Sequence, residues 1–166
     1  NRPGVPNPES AIARAAPADS RTVPAQARWL GGTGAVPFYA FALAIWFAPP
    51  AFRDWARNAL VAYGMVILAF VGALHWGFTM KTPDFDERDR WTWMGWSVTP
   101  ALAAWTASLF PFRPAVAILA AAFVVHLAVD HAFASRSGLP PWYLRMRRAL
   151  TAAVVLGLAI AFAAPA

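Results

Sequence analysis

The chain has 166 residues, of which 59% are hydrophobic and 13% charged, where an ordinary globular domain carries about 25% charged residues. It has no cysteine, which excludes disulfides, thiolate metal sites and thiol nucleophiles. The net charge of +6 does not point to nucleic acid, because the basic residues stand at the ends of apolar runs, where they orient helices and meet anionic headgroups.

Five such runs follow one another, at about 30–48, 57–79, 93–110, 114–133 and 148–165, and each has the length needed to cross a hydrocarbon core about 30 Å thick. The pattern predicts an all-α polytopic membrane protein: a proline-rich tail (1–28) and a domain of five transmembrane helices (29–166). Eleven of the fourteen Lys and Arg residues fall on one side, in the tail (Arg2, Arg14, Arg21, Arg28), the second internal loop (Lys81, Arg88, Arg90) and the fourth (Arg136, Arg145, Arg147, Arg148). Only Arg53, Arg57 and Arg113 fall on the other. By the positive-inside rule the N-terminus is expected in the cytoplasm and the C-terminus in the periplasm of a bacterial inner membrane.

In chain order, the tail holds Pro3, Pro6, Pro8, Pro17 and Pro24 and few large apolar side chains. Such a segment cannot bury enough surface to offset its ordering entropy, so it is expected to gain order on a partner or along neighbouring loops. It has no apolar h-region, which makes the first run an uncleaved anchor. That run contains three glycines and Pro37, a combination that predicts a kink, and it ends at Pro49-Pro50 before a short loop from Phe52 to Arg57. The stretch 84–90 alternates acidic and basic residues without the glycine and ligand spacing of a calcium loop, and reads as a solvated connection. Pro100 predicts a kink in the third run, and Pro111 with Pro114 a tight turn that pairs the third and fourth helices as an antiparallel hairpin.

The longest connection, Ser135 to Arg148, places Trp142 and Tyr143 at the headgroup level, with Arg145, Arg147 and Arg148 available to lipid phosphates. Most of the nine tryptophans fall where aromatic belts form: Trp29, Trp76, Trp91, Trp93 and Trp142 at one interface, Trp46, Trp55 and Trp105 at the other. Small residues recur every four positions at Ala40, Ala44 and Ala48, at Ala69, Ala73 and Gly77, and at Ala149, Ala153, Gly157 and Ala161. These stripes predict close helix packing, within the bundle for the first two and within it or against another membrane subunit for the last. No internal repeat supports an inverted-repeat transporter.

Ionisable groups inside a membrane are costly and mark candidate sites. His75, His126, Asp130 and His131 lie at similar depth near the ends of the second and fourth runs, and His126 and Asp130 share a helix face. Three roles stay open for this cluster. It suits zinc or iron, it suits a proton relay or quinone-headgroup site in which Asp130 sets the His126 tautomer, and it suits a structural network that fixes helix register. No cofactor is required by the sequence, and bis-histidine haem fits the depths only loosely.

At Leu30-Gly31-Gly32-Thr33-Gly34-Ala35-Val36-Pro37-Phe38, at Phe70-Val71-Gly72-Ala73-Leu74-His75-Trp76-Gly77, and from Pro141-Trp142-Tyr143-Leu144-Arg145 to Thr151, the chain resembles the transmembrane protein 69-like family. The resemblance runs from about residue 30 to 160. It implies an inner-membrane domain of bacteria and mitochondria with no established reaction, and makes His75, Trp76, Asp130, Trp142, Tyr143 and Arg147 family-type positions. The expected function is a non-catalytic accessory or assembly subunit of a larger energy-transducing complex, respiratory or photosynthetic, in contact with lipid and other membrane subunits. A small metal-, quinone- or proton-handling protein, and a lipid-binding protein, are the alternatives.

Overall fold

The computed structural model describes residues 22–165. Residues 1–21 and 166 lie outside the described residues, and with them most of the proline-rich tail and its expected partner contact. The described residues form five helices: α1 (Ala25–Phe47), α2 (Pro50–Met80), α3 (Glu87–Ala107), α4 (Phe112–Ser137) and α5 (Pro141–Phe162).

The helices begin earlier than the apolar runs do, and their first residues explain why. Pro50 and Pro141 open α2 and α5 at the first helical position, where a missing N–H is no loss and the fixed φ is already helical. The stretch 52–57, expected as a loop, is therefore the beginning of α2, and Trp142 and Tyr143 lie inside α5. Most of the charged stretch 84–90, expected as a solvated connection, is a helix start. The Asp86 carboxylate accepts from the Asp89 N–H at 2.7 Å, with Glu87 and Asp89 in the first turn against the helix dipole. Gly138, at φ 65°, ends α4 in the left-handed conformation that glycine adopts without penalty. α1 opens at Ala25, so the last four residues of the predicted tail are helical.

α1, α2 and α4 are long and apolar enough to cross a membrane. α3 and α5 are also unbroken helices of 21 and 22 residues, but Arg88 and Arg90 in one, and Arg145, Arg147 and Arg148 in the other, dilute their apolar character. With 31 residues α2 extends about 46 Å at 1.5 Å per residue, beyond the hydrocarbon layer at one or both ends.

Each helix packs on the next in sequence, α5 returns to α1, and α2 reaches across to α4. The α2 and α5 backbones stay more than 8 Å apart, although the Phe78 and Tyr143 rings meet edge to face at 5.4 Å, and a gap opens farther along the two helices. Phe38, Leu60, Leu68, Leu119, Phe123 and Leu158 fill most of the interior, while Phe47, Val66, Phe70, Leu102 and Trp105 face outward. Large apolar side chains outside and polar ones at the centre suit a lipid surround.

The close approaches use Gly64 and Gly72, which lie outside the small-residue stripes, and Gly157, which lies within one. A Cβ at Gly72 would stand 2.8 Å from the Pro100 ring and 3.1 Å from the Ser97 carbonyl oxygen, so Gly72 lets α2 lie directly on α3. Gly64 admits Leu119 and Phe38 in the same way. Of the predicted α2 stripe, Ala69 is half-buried, but Ala73 and Gly77 are exposed, because the buried face of α2 runs through Gly64, Leu68, Gly72, His75 and Thr79 instead. In α5, Gly157 and Ala161 are buried, Gly157 against Phe38 of α1, whereas Ala153 is half-buried and Ala149 exposed. In α1, Ala44 and Ala48 are half-buried and Ala40 is exposed.

Three side chains fasten α1 by donating to backbone carbonyls. Tyr63 donates to Gly34 at 2.9 Å, Tyr39 to Ala153 at 2.8 Å and Trp46 to Ile160 at 2.9 Å.

Replacing Gly72 by Ala is expected to destabilise the bundle by about 1–3 kcal/mol, through overpacking against Pro100. Gly77→Ala, where a Cβ meets nothing within 4 Å, should be neutral or slightly stabilising. Thermal unfolding of the two variants in detergent compares them directly, and equal midpoints would contradict this assignment of the α2–α3 contact.

Candidate functional site

Near the Met80 end of α2, four helices converge on one carboxylate. Asp130 of α4 is 1% exposed, and its Oδ2 accepts from the Arg147 Nε of α5 at 2.6 Å. Its Oδ1 faces His75 Nε2 of α2 at 3.4 Å and His126 Nε2, one turn back on α4, at 3.8 Å. α3 joins through tryptophans: Trp96 Nε1 donates to His126 Nδ1 at 3.1 Å with the two rings only 9° from parallel, while the Trp93 ring lies nearly parallel to His75. Phe133, Trp93 and Phe85 pack together beside His75, separating the polar centre from the adjoining loop.

The Trp96 contact decides a tautomer. An indole N–H is a donor only, so His126 Nδ1 must present its lone pair, and in the neutral ring the proton then sits on Nε2, facing Asp130. His75 Nε2, His126 Nε2 and Asp130 Oδ1 could together hold a metal ion, since ligand atoms of the three residues lie within 4.8 Å of one another. A metal-bound histidine, however, usually donates from its second nitrogen to an outer acceptor. His126 does the reverse, and its inward nitrogen is already protonated. The donor set therefore resembles a metal site in spacing and departs from one in hydrogen bonding.

Asp130 and Arg147 compensate each other's charge. Leaving either unpaired in a low-dielectric interior would cost far more than the pair does. Several polar atoms nevertheless find no hydrogen-bond partner among the described residues: both nitrogens of His75, His126 Nε2, Asp130 Oδ1, Trp93 Nε1, Arg147 Nη2, the Tyr143 hydroxyl and the Thr151 hydroxyl.

Of the residues that the sequence singles out, the structure unites His75, His126 and Asp130. His131 does not join them. One step of about 100° along the helix turns it away from Asp130, and it is exposed, with Nδ1 2.8 Å from the Leu127 carbonyl oxygen. Arg147 and Tyr143, expected at the headgroups, are instead buried at 4% and 5% exposure. Both lie on the inward face of α5, and Asp130 draws the guanidinium in, whereas Arg145 and Arg148 lie on the exposed faces and Trp142 is half-buried. Trp93, expected in an aromatic belt, is 7% exposed in the interior. Arg147 as the counter-charge and Trp96 as the tautomer-setting donor were not identified from sequence. The spacing Tyr143, Arg147, Thr151 aligns three polar side chains on one face of α5, apart from Arg145 and Arg148, and it is the signal that points to Arg147.

The family described as protein of unknown function DUF3429 matches residues 23–163, and the chain belongs to this transmembrane protein 69-like family. It is similar to Transmembrane protein 69 of Xenopus tropicalis, 30% identical over 138 residues that cover 83% of this chain and 54% of the relative. The chain thus spans about half the length of the curated relative it matches. No solved structure matches. With its apolar helices and this relationship, the chain is a membrane protein in contact with lipid.

Substituting one partner of the buried pair, Arg147→Gln or Asp130→Asn, is expected to destabilise the fold by about 3–5 kcal/mol. The double variant should lose clearly less than the sum of the two. Unfolding midpoints of the four proteins in one detergent measure this coupling, and strict additivity would show that the two side chains do not interact.

Proposed function

We propose that this chain crosses the bacterial inner membrane five times, with its N-terminus in the cytoplasm and its C-terminus in the periplasm. In this reading it acts without catalysis, as an accessory or assembly subunit of a larger membrane complex. The host is an energy-transducing assembly, respiratory or photosynthetic, of the kind found in the membranes that the family resemblance implies. The basic residues of the tail, Lys81 with Arg88 and Arg90 around the α2–α3 connection, and Arg136, Arg145 and Arg148 flanking the α4–α5 connection lie on one side in this topology, as charge bias near the ends of membrane helices requires.

The observation that carries the subunit reading is the outer face of α2. Ala73 and Gly77 are exposed there, and a Cβ at Gly77 would meet nothing within 4 Å. Beside them Trp76, Trp91, Met94, Gly95 and Val98 line a mostly apolar groove of about 450 Å³ between α2 and α3, with Glu87 and Arg90 at its end toward the start of α3. Bare small residues between aromatic ridges suit the close approach of another transmembrane helix, where lipid supplies no hydrophobic drive and packing decides association. The interior supports the non-catalytic part, since Asp130 is neutralised by Arg147 and His126 is held in one tautomer by Trp96. A second reading, a small metal- or proton-handling protein, draws on the spacing of His75, His126 and Asp130. Metal analysis of the purified chain addresses it, and a stoichiometric ion lost in His75→Ala would displace the structural reading of the cluster. Arg145 and Arg148 keep a headgroup role in either case, as exposed cations at the start of α5.

After gentle extraction and native electrophoresis, the chain is expected to migrate within a large assembly. Ala73→Leu together with Gly77→Leu should release it as a folded monomer, and a wild-type chain already migrating alone would contradict the proposal. The sidedness has its own test, simplified by the absence of cysteine. Asp84→Cys should be shielded from an impermeant maleimide in intact cells and Leu109→Cys labelled, and the opposite pattern would invert the topology.

A further inference from the structure

The gap between α2 and α5 holds a cleft of about 120 Å³. Its walls are apolar, with Leu30 of α1, Ile67 and Phe70 of α2 and Leu150 of α5 among them, and Gly34 leaves one side open. The two residues with polar side chains in its lining are Arg147 and Thr151, one turn apart on the same face of α5. Both are more than nine-tenths buried, and both keep a polar atom, Arg147 Nη2 and Thr151 Oγ1, without a partner among the described residues. Buried donors are normally satisfied, and an orphan on each of the two polar residues that line one cleft leaves room for an acceptor from outside the chain.

We propose that this cleft binds the uncharged carbonyl group of an apolar molecule, with Arg147 Nη2 and Thr151 Oγ1 as the hydrogen-bond donors. Charge selects the carbonyl over an anion. Asp130 already balances Arg147 at 2.6 Å, so a ligand carboxylate or phosphate would bring an uncompensated charge into the membrane interior. Size selects a compact head group. An apolar protein cavity of about 150 Å³ accommodates a benzene ring, and at about 120 Å³ the cleft is smaller, so it takes the carbonyl-bearing edge of a ring or one ester group rather than a phospholipid head. Two membrane molecules present this chemistry, a quinone through its ring carbonyl and a neutral diacyl lipid through its ester carbonyl. The tail of either would leave along the apolar walls.

The test uses the full chain, purified in detergent and stripped of lipid, with decylubiquinone, dioleoylglycerol and oleate as separate probes of the thermal unfolding midpoint. A ligand that binds only the folded state raises that midpoint in proportion to the logarithm of its concentration. Either uncharged probe is expected to raise it, and which one does so identifies the source of the carbonyl. Thr151→Val removes a hydroxyl that bonds nothing in the fold, so its ligand-free midpoint should match the wild type or exceed it, while the affinity falls about two- to tenfold. Gly34→Leu, where the nearest atom to a Cβ is the Tyr63 hydroxyl at 4.0 Å, fills the cleft and should abolish the response. No shift with either uncharged probe, a shift undiminished in Thr151→Val, or a shift with oleate alone would overturn the proposal. If Gly34→Leu fails to fold, the Thr151→Val comparison still decides.

Discussion

A carboxylate in the middle of a helix bundle, shielded from water on every side, is the constraint on which the rest of this structure turns. Asp130 cannot reach solvent, so its charge must be met within the protein, and Arg147 meets it through one short charge-assisted hydrogen bond. That bond ties the end of α4 to the beginning of α5 across a connection of three residues, 138–140. The Gly138 turn and the proline start of α5 aim the two helices so that the pair can form. His75 brings α2 to the same carboxylate, and Trp96 brings α3 through His126. Four of the five helices are thereby held at one end by a single polar centre.

The apolar packing is arranged around that centre rather than independently of it. α2 must lie close enough to α3 and α4 for His75 to face Asp130, and the bare backbone at Gly72 permits it by taking the Pro100 ring almost in contact. Pro100 therefore works as a packing surface, in a helix that continues past it to Ala107. α1 has no share in the ionic centre and is held by tyrosine and tryptophan donors to backbone carbonyls. A cleft remains between α1, α2 and α5, beside the same arginine that neutralises Asp130.

Much of this was legible in the sequence, for physical reasons. Long apolar runs report helices, and proline pairs and charge clusters report their ends, although prolines at the first helical position moved the starts of α2 and α5 outward. Helical spacing placed His126 and Asp130 on one face, and alternating direction brought His75 to their depth. Spacing did not reveal which way Arg147 turns. An arginine near a helix end can extend to the headgroups or turn inward, and the choice depends on a partner from another helix. The same holds for the tryptophans. Trp93 and Trp96 have the composition of an interfacial belt, yet their inward turn follows from the two imidazoles they meet. Small residues on α2 show the converse difficulty, since Gly72 and Gly77 look alike in sequence and only the neighbouring helix makes one indispensable and leaves the other bare.

The central claim, that Asp130 is ionised and bonded directly to Arg147 within the folded bundle, can be read from one solid-state magnetic resonance experiment. The chain would be reconstituted in lipid with ¹³C-labelled aspartate and ¹⁵N-labelled arginine, and carboxyl–guanidinium dipolar recoupling measured on the wild type and on Asp130→Asn. The account predicts one strongly coupled pair, with the carboxyl shift of an ionised aspartate, that disappears in the variant. A wild-type sample without that coupling, or with the same coupling remaining in Asp130→Asn, would contradict it.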